Sequence, residues 1–137
     1  MSIREIVVQA EDDDDHAELL ELAWEDLSPD AELVRVRDGA SLLDYLTGLD
    51  PNRERPILIL LDLKMPGMNG FDVLQALKGG VETRRIPVVV LSSSSADRDV
   101  KRAYDEHANG YVIKAGNQHD FVKVLMRFWG RFNVLAF

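Results

Sequence analysis

The chain has 137 residues, a formal net charge of −8 and no cysteine. Its length fits one domain able to bury a core without staples, and the missing thiols exclude disulfides, thiolate zinc sites and cysteine nucleophiles. An acidic chain whose basic residues are scattered does not attract nucleic-acid backbones or anionic lipid. No apolar run nears the ~20 residues that span a bilayer, and the first five residues do not read as a signal peptide, so the cytoplasm is the expected compartment.

Ile6-Val7-Val8 predicts a first strand, followed by Gln9-Ala10 and an acidic run from Glu11 to Asp15. From Ala17 to Leu27 the spacing is helical, with Leu20, Ala23, Trp24 and Leu27 on one face, and Ser28-Pro29-Asp30 ends the helix. Glu32 to Val36 alternates as a second strand. Asp38 is placed to cap a helix carrying Leu42, Tyr45, Leu46 and Leu49 on one stripe. Ile57 to Leu61 is a continuous apolar strand of the kind covered on both faces. The loop Met65 to Gly70 leads to a third helix over 71–78. Pro87 to Leu91 is a fourth apolar strand, Ala96 to Glu106 a helix, and Gly110 to Ile113 a fifth strand. A last helix carries Phe121, Val124, Leu125 and Phe128. Strands alternating with helices predict an α/β fold, a parallel sheet with right-handed crossovers and helices on both faces.

In such a sheet, function sits beyond the carboxyl ends of the strands. Glu11 and Asp12 follow the first strand, Asp62 ends the third, Ser92 and Ser93 the fourth, and Lys114 the fifth. The converging ends gather carboxylates, a hydroxyl and an ammonium. Crowded carboxylates raise one another's pKa unless a cation intervenes. Mg²⁺ prefers hard oxygen ligands of this kind, which makes Glu11, Asp12 and Asp62 candidate ligands, with the backbone carbonyl of Lys64 as another. A carboxylate can also be a nucleophile that forms an aspartyl phosphate. Phosphoryl transfer mainly needs positioning and charge stabilisation, which Mg²⁺, Lys114 and Ser92 together would supply.

Four stretches carry a resemblance over nearly the whole chain: Ala10 to Asp13, Leu60 to Gly70, Pro87 to Ser93 and Gly110 to Lys114. In that order and spacing they resemble the receiver domain of bacterial two-component response regulators. The resemblance implies a flavodoxin-like fold with five parallel strands in the order 2-1-3-4-5. It implies Asp62 as phosphoacceptor, Glu11 and Asp12 as the metal-binding pair, Ser92 as switch hydroxyl and Lys114 as the phosphate-binding lysine. It further implies that Tyr111 rotates inward on activation, although Tyr111 also reads as plain core. Lys64 and Ser94 occupy positions that tune the phosphoryl lifetime in that family. The Lys-Ala-Gly-Asn run at 114–117 and the aromatic end are similar to a narrower group, single-domain regulators partnered with phytochrome-type histidine kinases. Departures are Ala115 where most receivers have proline, with a trans bond expected there, and Ser92 where threonine is commoner. Gln9 is an unexplained polar residue in an apolar strand.

Plainer readings apply to several residues. Asp13, Asp14 and Asp15 read as a solvated helix start, and Ser94 or Ser95 as a helix cap. His16, His107 and His119 recur at no ligand or triad spacing and are assigned no catalytic task. The expected organisation is a receiver domain over 1–131 and an apolar tail over 132–137, with a homodimer through the last helix and tail. The expected protein is no turnover enzyme: a histidine kinase donates to Asp62, and the signal passes on through protein contacts or onward phosphotransfer. The alternatives are a phosphorylation-independent interaction module and a phosphatase of the haloacid dehalogenase type. The latter needs a second Asp where Lys64 stands.

Overall fold

The computed structural model describes residues 2–27, 30–65 and 67–114. Nine elements alternate along them: β1 (Arg4–Ala10), α1 (Asp14–Leu27), β2 (Glu32–Val36), α2 (Gly39–Thr47), β3 (Glu54–Asp62), α3 (Gly70–Gly79), β4 (Val88–Ser92), α4 (Asp97–Asp105) and β5 (Gly110–Ile113). Every strand pair is parallel and the order is β2-β1-β3-β4-β5, the flavodoxin-like arrangement expected. Ala115, the last predicted helix, His119 and the apolar tail lie outside the described residues, and so do the expectations attached to them. No helix among the described residues is long and apolar enough to cross a membrane.

The two-residue period of the strands divides the core into two layers. Ile6, Val8, Ile59, Leu61, Val88 and Val90 point to one face, where Leu42 of α2, Val73, Leu74 and Leu77 of α3, and Ala103 of α4 cover them. Val7, Leu58, Leu60, Val89, Leu91 and Val112 point to the other, against Leu20 and Trp24 of α1. The central strands are apolar throughout because both faces are buried. Gln9 is also buried, at 2 % exposure, and its Nε2 donates a long 3.5 Å hydrogen bond to the carbonyl of Ala17 in α1. A polar residue is tolerated there because the first turn of α1 offers an acceptor.

Two helix starts differ from expectation, for the same kind of reason. Helix α1 begins at Asp14 rather than Ala17, because the Asp13 carboxylate accepts the N–H groups of Asp15 (2.9 Å) and His16 (3.2 Å). These bonds, chiefly the one from His16, hold the Asp13 carboxyl below its ordinary range. Neither Ser94 nor Ser95 caps α4; the N-cap is Ala96, with no side-chain bond. Ser94 Oγ instead accepts from Ala96 N at 3.2 Å and donates to Asp99 at 2.6 Å, bracing the loop ahead of the helix. Asp38 caps α2 as expected, its Oδ1 accepting from Ser41 N at 2.7 Å.

The loop after β3 closes on itself. Gly70 N donates to Leu63 O at 3.2 Å, and Asn69 Oδ1 accepts from Phe71 N at 2.8 Å to start α3. A Cβ at Gly70 would stand 2.5 Å from Leu63 Cα and 2.8 Å from its carbonyl oxygen, so only glycine fits. Gly70→Ala is expected to push this loop outward and destabilise the fold by about 1–3 kcal/mol, the range for overpacking. A urea denaturation curve with a lower midpoint and unchanged slope is the expected result.

Candidate functional site

The parallel register fixes where the strand ends lie. Ala10 pairs with Leu61, Asp62 with Leu91, and Ser92 with Ile113. Glu11, Asp62, Ser92 and Lys114 therefore emerge along one edge of the sheet. The backbone of Glu11 is held on both sides: its N–H donates to Val36 O at 3.0 Å, and its carbonyl accepts from Arg35 Nε at 3.1 Å. The same guanidinium reaches Asp14 at 2.8 Å, and Arg37 contacts that carboxylate at the same distance. Those hydrogen bonds, led by that from Arg35, hold the Asp14 carboxyl below its usual range. Lys114 N donates to Ser92 O at 2.7 Å, tying the end of β5 to that of β4.

The side chains meet over this edge. Glu11 and Asp62 are buried, at 3 % and 6 % exposure, and Asp12 is exposed. One oxygen from each of the three lies within 4.8 Å of the others. The Lys114 ammonium forms ion pairs with Glu11 and, at 3.0 Å, with Asp62 Oδ2. Burial pushes the Glu11 carboxyl up to about 8, with the adjacent Asp62 carboxyl adding to the effect and Lys114 opposing it. The other Asp62 oxygen accepts from Lys64 N at 3.0 Å. Above the group opens a cleft of about 230 Å³ lined by Asp12, Asp13, His16, Asp62, Lys64, Ser93 and Lys114. Asp12 and Asp62 bring two carboxylates against the one ammonium, so the set keeps a surplus of negative charge on hard oxygens even while Glu11 holds its proton. Such a set fits a small divalent cation. A larger groove of about 490 Å³, between the end of α2, the start of β3 and the α3–β4 connection, has none of these groups.

Residues 7–126 match the family model for the response regulator receiver domain. The chain belongs to the response regulator receiver family. Among curated relatives of this receiver domain, "Probable methanogenesis regulatory protein FilR2" of Methanothrix harundinacea is 38 % identical over 128 residues, covering 90 % of this chain and 83 % of that protein. Response regulator Rcp1 of Synechocystis is 35 % identical over 129 residues, covering 90 % of this chain and 88 % of Rcp1. The crystal structure of the Mn²⁺-bound form of Rcp1 superposes with a TM-score of 0.78 over 87 % of each chain. The phosphorylated cyanobacterial phytochrome response regulator RcpA, 35 % identical, gives a TM-score of 0.79 over 90 % of this chain and 89 % of RcpA.

Ser92, Ser94 and Tyr111, also singled out in the sequence of this receiver domain, are not among the residues that line the cleft. Ser92 is buried, at 1 % exposure, and its Oγ accepts from Ser94 N at 3.1 Å; Ser93, not Ser92, lines the opening. Tyr111 is half-buried against the α2–α3–α4 layer, and its hydroxyl donates to Ser94 O at 2.8 Å. Two residues escaped the reading of the sequence, and a third, His16, is assigned no catalytic task there. Arg35 holds the loop that carries Glu11, Asp99 holds Ser94, and His16 faces Lys114 across the cleft, its Nδ1 3.1 Å from the ammonium. Removing only the hydroxyl with Tyr111→Phe is expected to cost about 1 kcal/mol, one neutral hydrogen bond. Chemical denaturation of the two proteins side by side measures it.

Proposed function

We propose that Asp62 is the phosphoacceptor of this receiver domain and that a histidine kinase supplies the phosphoryl group. The Lys114 ammonium seated between Glu11 and Asp62, in a cleft that also bears Asp12, is the observation that carries this reading. One oxygen of Asp62 attacks phosphorus as the P–N bond of the donor phosphohistidine breaks, its electron pair leaving with the imidazole nitrogen. Lys114 is already in contact with Asp62, so a small rotation turns an N–H toward a phosphoryl oxygen. Ser92 donates its hydroxyl to another and keeps accepting from Ser94 N. Glu11, Asp12 and Asp62, together with the backbone carbonyl of Lys64, would hold Mg²⁺, which when bound neutralises phosphoryl charge.

Movement of Ser92 carries Ser94, and Tyr111, bonded to the Ser94 carbonyl, turns further inward. The change then reaches the face made by α4 and β5. Lys64 and Ser94, flanking the cleft, tune how long the phosphoryl group survives. The chemistry is confined to gaining and losing this one group, with no turnover of a separate substrate. Similarity to the cyanobacterial phytochrome response regulator RcpA supports a phytochrome-type histidine kinase as the partner. The receiver spans 1–131, and residues 132–137 with the last helix form a homodimer contact, supported by the apolar composition of that stretch. Light scattering over a range of concentrations is expected to show a dimer that is lost when the chain is cut before Phe132; a monomer throughout would refute it.

The acceptor is tested by intact mass after incubation with acetyl phosphate. A single phosphoryl adduct that requires Mg²⁺ and disappears in Asp62→Asn is expected. No adduct together with no Mg²⁺ binding would instead make this a phosphorylation-independent interaction module.

A further inference from the structure

Among the cleft residues that the reaction proposed above leaves unused is His16. His16 stands in the first turn of α1, its Nδ1 3.1 Å from Lys114 Nζ. The same nitrogen is 3.6 Å from a Glu11 oxygen and 3.9 Å from Asp13. An ammonium has three N–H donors and no acceptor. Here the three go to Glu11, Asp62 and His16. Since lysine cannot accept, Nδ1 is the accepting atom of this contact.

We propose that His16 is a positioning residue that fixes the direction of the Lys114 ammonium and thereby sets the rate at which Asp62 gains its phosphoryl group; this rests on the reading of Asp62 as acceptor. Lysine ends a flexible four-carbon stem, and its charge alone does not fix where its N–H groups point. Glu11 and Asp62 both belong to strand ends, so they hold the ammonium from the sheet side only. His16 holds it from the side of α1. When a phosphoryl group arrives on Asp62, the N–H given to Asp62 turns to a phosphoryl oxygen, while Glu11 and His16 keep the other two. An acceptor that carries no negative charge suits this place: a further carboxylate would hold the ammonium equally well but would add to the repulsion of the incoming anion.

Two variants separate a positioning role from a merely structural one. His16→Leu removes the acceptor from an exposed helix position, whereas the amide oxygen of His16→Asn can stand where Nδ1 stood. With Mg²⁺ and acetyl phosphate, His16→Leu is expected to slow phosphorylation by about tenfold, the scale of one hydrogen bond to a charged group, and His16→Asn to restore most of the rate. The ¹⁵N–¹H signal of the Lys114 ammonium supplies a readout independent of activity. It is expected to be protected from exchange in the wild type, lost in His16→Leu and regained in His16→Asn. An unchanged signal in His16→Leu overturns the contact whatever the rates, and equal slowing by both variants overturns the positioning role. A wild-type chain that takes no phosphoryl group defeats the acceptor reading and the claim on rate together, and the ammonium signal then decides the contact alone.

Discussion

The ion pairs of Lys114 with Glu11 and Asp62 join three strand ends. In the order β2-β1-β3-β4-β5, the side chain that follows β5 must pass the end of β4 to reach β3 and then β1. This is possible only because every pair is parallel and the registers bring Ala10, Asp62 and Ser92 to one edge. A single reversed strand would send its terminal group to the far end of the sheet. The contact also makes the arrangement tolerable. Buried carboxylates without a counter-charge are costly, and removing one member of such a group leaves the others uncompensated. Lys114 is thus part of the architecture, joining the ends of three strands.

The consecutive acids after β1 divide their work by local geometry rather than by residue type. Asp13 accepts two backbone N–H groups of α1, and Asp14 is held between Arg35 and Arg37. Both carboxylates are thereby committed outside the cluster of Glu11, Asp12 and Asp62. Glu11 and Asp12 precede the helix and are left facing the cleft. Arg35 contributes twice, fixing Asp14 with one nitrogen and the Glu11 carbonyl with another.

Much of this was legible in the residues alone. The apolar runs over 57–61 and 87–91 announced central strands, because a strand covered on both faces has no solvent side on which to place a polar residue. Once the alternation of elements was clear, the strand ends pointed to Asp62 and Lys114 without any contact being known. Gln9 was opaque because its partner, the Ala17 carbonyl, belongs to another element. The tie between His16 and Lys114 spans 98 residues, and that between Arg35 and Glu11 spans 24. Neither falls in a local pattern that periodicity can detect. The start of α4 was misread for a related reason: a serine before a helix reads as a cap, but Ser94 has a better partner in Asp99.

Ser94 has a position unlike that of its neighbours. Its N–H holds Ser92, its carbonyl holds Tyr111, and its hydroxyl holds Asp99. One residue thus links the inner end of β4, the side chain of β5 and the first turn of α4. A loop fastened through a single knot cannot yield by degrees. A displacement large enough to break one of these bonds disturbs the other two, so the segment between β4 and α4 rearranges as one cooperative unit or stays as it is. Intermediate settings of that segment are thereby disfavoured.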